Sequence, residues 1–285
     1  MKKKFKEVID MFYDLFQYEF IENAIKGAFL ASIVCGIIGT IIVEKSLVSM
    51  SGGITHASFG GIGLGYYLGI EPMIGALIFS TMASLGITAI KRSSNTKADT
   101  LIGMFWSLGM ALGILFINLT PGYPPDMTSY LFGDILTISS QYINMMIVLT
   151  VIILGAIGSI FNHWKAYLFD EEFSKSLGIN ILNLEKLLYV LISFSIVILI
   201  KVVGIILVIA LLTIPVATAK LLTYNLQKVM ILSSIFGVIY SLSGLYISYE
   251  YNIPSGATII LVSIFAYILT NIGVKVIKNK ELNFI

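Results

Sequence analysis

Three ionisable side chains lie inside the long apolar stretches of this sequence: Lys26, His56 and Lys201. An ionisable group placed in an apolar medium costs free energy, so each of these residues is a candidate functional residue. Lys26 and Lys201 fall near the ends of their stretches, where a long side chain can reach the interface. His56 lies deeper, and imidazole is a common ligand for Zn²⁺, Mn²⁺ and Fe²⁺. The spacing alone favours the interpretation that His56 only packs between helices. A metal-binding role for His56 is the alternative.

Oxygen-bearing side chains supply the other candidate ligands. Thr55 and Ser58 are close to His56 in the sequence, and Thr258 lies in a later apolar stretch. If His56 binds a metal ion, these three hydroxyls are the candidate oxygen ligands beside it. Asp134 precedes the fifth apolar stretch, where a carboxylate at an outer mouth would attract cations. The alternative for Asp134 is a helix cap.

Signatures of other function classes are missing from the sequence. It contains no Gly-x-x-x-x-Gly-Lys-Ser/Thr, no His-Glu-x-x-His and no Gly-x-Ser-x-Gly, the motifs of P-loop ATPases, zinc proteases and serine hydrolases. The single cysteine, Cys35, excludes an intrachain disulfide and a cysteine-based zinc site. No basic block predicts nucleic-acid binding. We therefore expect no catalytic residues and no permanently bound cofactor.

The elements that position these residues are membrane spans. Charged residues make up 12% of the chain and hydrophobic residues 57%, whereas a soluble domain carries about a quarter charged residues. A helical span needs about 20 apolar residues, which predicts an all-α bundle of roughly eight or nine transmembrane helices in the cell membrane. The apolar runs cover residues 23–43, 53–70, 72–90, 100–119, 140–162, 187–219, 229–249 and 251–274.

The run at 187–219 makes the span count ambiguous. A helix of that length would reach about 50 Å at 1.5 Å per residue, which is too long for one crossing. Lys201 and Gly204 interrupt the run. The alternatives are two short crossings, or one crossing followed by a re-entrant segment.

Charged residues outside the spans predict the orientation. If 187–219 crosses twice, the loops 44–52, 91–99, 163–186 and 220–228 fall on one side together with the C-terminal residues 275–285. These segments carry 12 of the 18 lysines and arginines, whereas loop 120–139 carries none. Cytoplasmic loops are enriched in these residues, so we place the four loops in the cytoplasm. The lysines near the N-terminus argue against this choice.

The same patterns divide the chain into three parts. Apolar residues at helical spacing predict an interfacial amphipathic helix over residues 1–22. Residues 23–276 form the predicted membrane domain, and residues 277–285 form a predicted cytoplasmic tail.

The second span carries a stripe of small residues at intervals of four. Gly53, Gly61, Gly65 and Gly69 belong to it, with Ala57 between the first two. Small side chains allow two helix backbones to approach closely, so the stripe predicts helix packing.

The polar segment 163–186 contains a predicted short amphipathic helix at about 168–179. Asp170 suits the N-cap, Glu171 and Glu172 suit the first turn, and Gly178 suits the C-terminal stop. Phe173 and Leu177 share one face. The pattern fits either a docking surface or an ordinary solvated loop helix.

Four stretches resemble the ABC-type metal permeases, a family whose members import zinc, manganese or iron. They are GGITHASFGGI at 52–62, LFGDIL at 131–136, FDEEFSKSLGI at 169–179, and VGIILVIALLTIPVATA at 203–219 together with IPSGATI at 253–259. The resemblance covers residues 20–276, which is most of the chain. Many relatives carry an aspartate four residues before the histidine, where this sequence has Gly52.

The resemblance implies a BtuC-like permease of the type II importer class that works as a homodimer. It also implies two cytoplasmic ATP-binding subunits and an extracytoplasmic metal-binding protein as partners, with residues 170–178 as the coupling helix. The function so implied is ATP-driven import of Zn²⁺, Mn²⁺ or Fe²⁺ by alternating access. One alternative is a carrier driven by an ion gradient. The other is a membrane-embedded enzyme, but the motifs of such an enzyme are missing from the sequence.

Overall fold

A computed structural model describes residues 19–93, 97–122, 130, 133, 135 and 138–282 of the chain. Ten helices account for nearly all of these residues. They are α1 Glu19–Glu44, α2 Val48–Leu68, α3 Pro72–Ser93, α4 Ala98–Leu119, α5 Ser140–Ser159, α6 Phe161–Phe169, α7 Glu171–Ser176, α8 Ile181–Leu222, α9 Leu226–Tyr251 and α10 Ser255–Leu282. The predicted all-α, polytopic membrane fold is confirmed.

Seven of the described helices are long and apolar enough to cross a membrane. The helix α2 does not meet the same measure, although its 21 residues would span about 31 Å. Its glycines and small hydroxyl residues replace the aliphatic side chains that raise hydropathy elsewhere. The low hydropathy of α2 therefore reflects the composition of a buried helix, and most of its residues are indeed shielded from the surface.

The helix α8 is two helices joined at a sharp break. Gly204 has φ 79° and ψ 160°, a backbone conformation that is essentially restricted to glycine. Near the C-terminus of α8, Lys220 Nζ lies 3.0 Å from Glu44 Oε1, at the end of α1. We call this side of the bundle the Glu44 end.

Gly204 itself lies at the opposite side, which we call the Gly204 end. A Cβ atom on Gly133, in the connection between α4 and α5, would meet the backbone of Val203 and Gly204. Lys201 Nζ lies 5.5 Å from the ring centroid of Tyr142, at the start of α5. The chain therefore runs to the Gly204 end over residues 181–203 and returns to the Glu44 end over residues 205–222.

This reversal decides the span count. With α8 crossing twice, the described residues contain nine crossings, at the upper limit of the sequence prediction. Glu19 then lies at the Gly204 end and Leu282 at the Glu44 end. Residues 1–18 of the predicted amphipathic segment are outside the described residues, and residues 19–22 form the first turn of α1. Residues 277–282 of the predicted tail continue α10.

Glycines bring α2 against both of its neighbours. A Cβ atom on Gly61 would collide with the backbone of Gly75 in α3. A Cβ atom on Gly53 would lie 2.7 Å from Ile102 Cγ2 in α4, and one on Gly65 would lie 2.6 Å from Pro72 Cα. Gly69 differs from the packing expectation, because it ends α2 with φ 66°. A Cβ atom there would meet nothing within 4 Å.

The contact between α1 and α9 combines close approach with hydrogen bonds. The Ser233 hydroxyl donates to the Gly36 carbonyl over 3.0 Å and lies 3.4 Å from Thr40 Oγ1. A Cβ atom on Gly36 would lie 2.6 Å from the Ser234 backbone nitrogen. On another face of α1, Gly39 packs directly against the backbone of Leu212 in the second half of α8. These contacts fix α1 between α8 and α9.

Candidate functional site

His56 lies close to the middle of α2, eight residues after Val48 and about 12 Å from the Glu44 end. Its ring stacks on the indole of Trp106 in α4, with centroids 4.0 Å apart and an angle of 10° between the planes. Its Nδ1 atom is buried and has no hydrogen-bond partner among the described residues. A buried polar atom without a partner is costly, so the atom is a candidate contact for something that the isolated chain does not contain.

Gly52 lies one turn before His56 and on the same face of α2. A Cβ atom there would lie 3.6 Å from Trp106 Cζ3 and 3.9 Å from Ile209 Cδ1, in the second half of α8. Both distances are ordinary van der Waals contacts. Helices α4 and α8 therefore border the site around His56, and position 52 has space for at least a methyl group.

The structure does not bring Thr55 and Ser58 to the His56 imidazole. The Thr55 hydroxyl donates to the Ser51 carbonyl over 2.7 Å, and the Ser58 hydroxyl donates to the Thr55 carbonyl over 2.6 Å. Both side chains are fully buried. Successive residues turn by 100° around a helix axis, so neither side chain shares the face of His56.

The two remaining predicted pathway residues lie away from His56 or outside the described part. Thr258 is in the first turn of α10, at the Gly204 end, and donates to the Pro254 carbonyl over 2.8 Å. His56 is about 18 Å from that end along α2. Asp134 is outside the described residues. Within the described residues no group of three or more His, Cys, Asp or Glu side chains could hold a metal ion, so His56 is a single ligand there.

A cluster of aromatic and charged side chains at the Gly204 end was missed by the sequence reasoning. The hydroxyls of Tyr66 and Tyr130 are 2.9 Å apart, and the Tyr142 hydroxyl donates to Glu71 over 3.3 Å. Lys201 Nζ lies 5.1 Å from the Tyr130 ring centroid. Burial, followed by the hydrogen bond to Tyr66, raises the pKa of Tyr130. The available signal in the sequence is Lys201, an ionisable residue inside an apolar run.

The short helix α7 at the Glu44 end has the predicted caps. Asp170 accepts hydrogen bonds from the Glu172 and Phe173 backbone N–H groups, over 2.8 Å and 3.1 Å. Gly178 adopts φ 76°, and its N–H donates to the Lys175 carbonyl over 3.0 Å. Glu171 pairs with Lys175 at 3.4 Å. The Asp170 cap and the Gly178 stop are therefore as predicted, but the helix itself is shorter than the predicted 168–179, because Phe169 belongs to α6.

The exposed face of this segment is apolar. Phe173 and Leu177 are 53% and 56% exposed, and Phe169, in the preceding α6, is 88% exposed. The other side of α6 is anchored in the bundle, because Trp164 is fully buried and its indole N–H donates to the Ala156 carbonyl over 3.2 Å. The segment therefore presents large apolar side chains from a fixed base.

The base of this segment contacts the turn that leads into α2. Lys45 Nζ lies 3.6 Å from the centroid of the Tyr167 ring in α6. An ammonium group at this distance from an aromatic face is attracted to it. Lys45 is three residues before the start of α2, so α6 contacts the turn that leads directly into the helix that carries His56.

The fold and these surfaces define a multi-pass membrane transport protein. The sequence profile of the ABC 3 transport family matches residues 17–273. The chain belongs to this family. The resemblance to ABC-type metal permeases and the location in the cell membrane are thereby confirmed, as is the role of a transport permease subunit.

Individual relatives cover nearly the whole chain. The manganese import system permease protein ScaB of Streptococcus parasanguinis is 37% identical over 266 residues, which is 93% of this chain and 95% of the relative. The manganese transport system membrane protein MntC of Listeria monocytogenes is 34% identical over 255 residues, with 90% and 91% covered. Among solved structures, PsaBC from Streptococcus pneumoniae matches with a TM-score of 0.84 and 32% identity, over 92% of this chain and 95% of that one.

Proposed function

We propose that this chain is the permease subunit of an ABC importer that moves a divalent transition-metal ion inward past His56. The metal is Mn²⁺, Zn²⁺ or Fe²⁺, and the manganese systems among the relatives favour Mn²⁺. One observation supports His56 most strongly: its Nδ1 atom is buried near the middle of the bundle without a hydrogen-bond partner. Imidazole nitrogen is a suitable ligand for all three metals.

The proposed pathway runs from the Gly204 end to the Glu44 end. The outer mouth, where an extracytoplasmic metal-binding protein delivers the ion, is at the Gly204 end, and the sequence predicts Asp134 there. Thr55, Ser58 and Thr258 are left out of this pathway because their hydroxyls donate within their own helices and lie away from the face of His56. A second permease in a homodimer supplies ligands that the single described chain lacks.

The proposed energy source is ATP hydrolysis in two separate cytoplasmic subunits. The Glu44 end is the cytoplasmic side, as the lysine and arginine distribution predicts. There, Asp170, Glu171, Glu172, Phe173, Leu177 and Gly178 form the coupling surface. Motion of α7 and α6 reaches α2 through the Tyr167–Lys45 contact, so that closure of the ATP-binding subunits moves the helix that carries His56.

Uptake of Mn²⁺ by the reconstituted complex in liposomes tests this proposal. We expect ATP-dependent uptake by the wild type and loss of at least about tenfold in uptake for His56→Ala, because second-shell losses alone already cost about tenfold to a hundredfold at metal sites. Thr258→Ala is the matched control and should transport at the wild-type rate. Wild-type uptake by His56→Ala would overturn the site assignment. Uptake by this chain alone, driven by a pH or Na⁺ gradient, would instead establish a secondary carrier.

Gly52→Asp provides a gain-of-function test of the same site. The Cβ atom of residue 52 fits beside Trp106, and a carboxylate one turn before His56 adds an oxygen ligand on the same helix face. We expect a lower KM for Mn²⁺, a metal that favours oxygen ligands. An unchanged or higher KM would show that the two positions do not share a metal ion.

A further inference from the structure

The orientation of the His56 ring depends on its contact with Trp106. The two residues lie on α2 and α4, each eight residues after the start of its helix, so they are level in the bundle. Gly109 on α4 permits their approach, since a Cβ atom there would collide with Ala57, the residue after His56. The rings are nearly parallel, at 10°. The helix contact thus holds one aromatic plane directly against the other.

Histidines that bind metals are usually oriented by a hydrogen bond. The ring nitrogen that does not bind the metal donates to a carboxylate, a backbone carbonyl or a water molecule, and this bond fixes the plane and the tautomer. Among the described residues, His56 makes no side-chain hydrogen bond, so its ring is not oriented in this way whichever nitrogen binds the metal. Gly52 brings no side-chain acceptor from the preceding turn. Within the described residues, the imidazole of His56 stacks on the indole of Trp106.

We infer that Trp106 is a positioning residue for His56, one that holds the imidazole plane in the orientation needed to bind the passing metal ion. This inference rests on the proposed function. A metal-bound imidazole carries more positive charge than a free one, and the face of an indole attracts positive charge. The stacking contact therefore strengthens when the metal binds, and it takes the place of the missing hydrogen bond.

The same ring borders the space beside residue 52. The indole edge lies 3.6 Å from the Cβ position of Gly52, an ordinary van der Waals distance. Trp106 therefore contacts the imidazole and leaves room at position 52.

Kinetics of Mn²⁺ uptake by the complete complex in liposomes test this role. Aromatic pairs contribute modestly beyond their buried area, so we expect Trp106→Ala to raise KM about threefold to tenfold, with Vmax within about twofold of the wild type. Trp106→Phe retains a ring for stacking and should restore most of the affinity. Leu108→Ala is the matched control, since Leu108 is 54% exposed on the same helix, and its KM should be unchanged.

Tryptophan fluorescence supplies a second measurement that a purely structural role would not change. The chain has two tryptophans, so the difference between wild type and Trp106→Phe isolates the signal of Trp106. We expect Mn²⁺ alone to quench this signal in the wild type and not in His56→Ala. Melting of each purified variant in detergent identifies any loss of folded protein.

The outcomes separate the two proposals. A wild-type KM in Trp106→Ala, with uptake lost in His56→Ala, would overturn the positioning role and leave the proposed function intact. Equal KM values for Trp106→Ala and Trp106→Phe, both raised, would also overturn stacking as the cause. Normal uptake by His56→Ala would overturn both proposals together.

Discussion

Two helix interfaces in this bundle achieve close approach by different means. Between α2 and α4 the backbones meet through glycine, since a Cβ atom on Gly63 would lie 2.9 Å from Gly113 Cα. The hydroxyls of Thr55 and Ser58 nearby donate within α2 itself. Between α1 and α9, by contrast, the Ser233 hydroxyl crosses the interface to the Gly36 carbonyl.

The two interfaces differ in what determines the relative position of their helices. A hydrogen bond between helices has a preferred length and direction, so Ser233 fixes the register of α1 against α9. The glycine contacts of α2 and α4 specify only how closely the helices approach. An added Cβ atom would collide at both interfaces, but among the described residues only the α1–α9 interface of the two has a side-chain hydrogen bond between its helices.

The largest expected effect is that of Gly109→Ala at the α2–α4 interface. The new methyl group would collide with the Ala57 backbone and push the helices apart, which should cost about 3 kcal/mol of unfolding free energy. It should also raise the KM for Mn²⁺, because His56 and Trp106 separate. Unfolding in mixed micelles and liposome uptake measure the two effects.

Gly103→Ala is the control for this prediction. Gly103 is on the same helix, and a Cβ atom there would meet nothing within 4 Å. The variant should be as stable as the wild type or more stable by up to about 1 kcal/mol, because alanine suits a helix interior better than glycine. Equal losses in both variants would mean that glycine flexibility, and not close approach, matters at this interface.

The second-largest expected effect is that of Gly204→Ala, at the break in α8 whose second half packs against α1. Gly39 packs on Leu212 only because α8 turns back at Gly204. Gly204→Ala places a side chain in a backbone region that nearly excludes one, and should cost about 2 kcal/mol. Gly155→Ala, where a Cβ atom would meet nothing within 4 Å, is the control. If thermal melting in detergent gave the same midpoint for both variants, the break would not depend on glycine.

The smallest expected effect is that of Ser233→Ala at the α1–α9 interface. The loss of one interhelical hydrogen bond should cost about 0.6 kcal/mol, the average for such bonds in membranes. Ser263→Ala removes a hydroxyl that donates only within its helix, to the Ile259 carbonyl, and should cost less. Mn²⁺ uptake should stay at the wild-type level in both. A raised KM in Ser233→Ala would contradict the division of roles between the two interfaces.

Local patterns predicted most of the fold. The absence of charge from long runs located the spans, and the Asp170 cap and the Gly178 stop flank α7 as expected. The number of crossings at 187–219 could not be decided in this way. The number of crossings follows from the position of Lys220 beside Glu44 in the folded chain. These two residues are far apart in the sequence.

The candidate site was only partly predictable for the same reason. His56 was identified because a single intramembrane histidine is conspicuous. Trp106 was not, since nothing in the sequence fixes the register between α2 and α4. Thr55 and Ser58 were included because they are neighbours in sequence, but helical rotation directs them to other faces. Gly69 continued the interval of four past the residue where α2 ends.

The reversal at Gly204 has a consequence for experiments on living cells. An odd number of crossings places Glu19 and Leu282 in different compartments. In the proposed orientation, with the Glu44 end in the cytoplasm, a reporter fused after residue 282 would share its compartment with α7 and would be inaccessible to reagents added outside the cell. A reporter fused before residue 19 would be labelled by the same reagents, so two fusions of one chain would report opposite sides of the membrane.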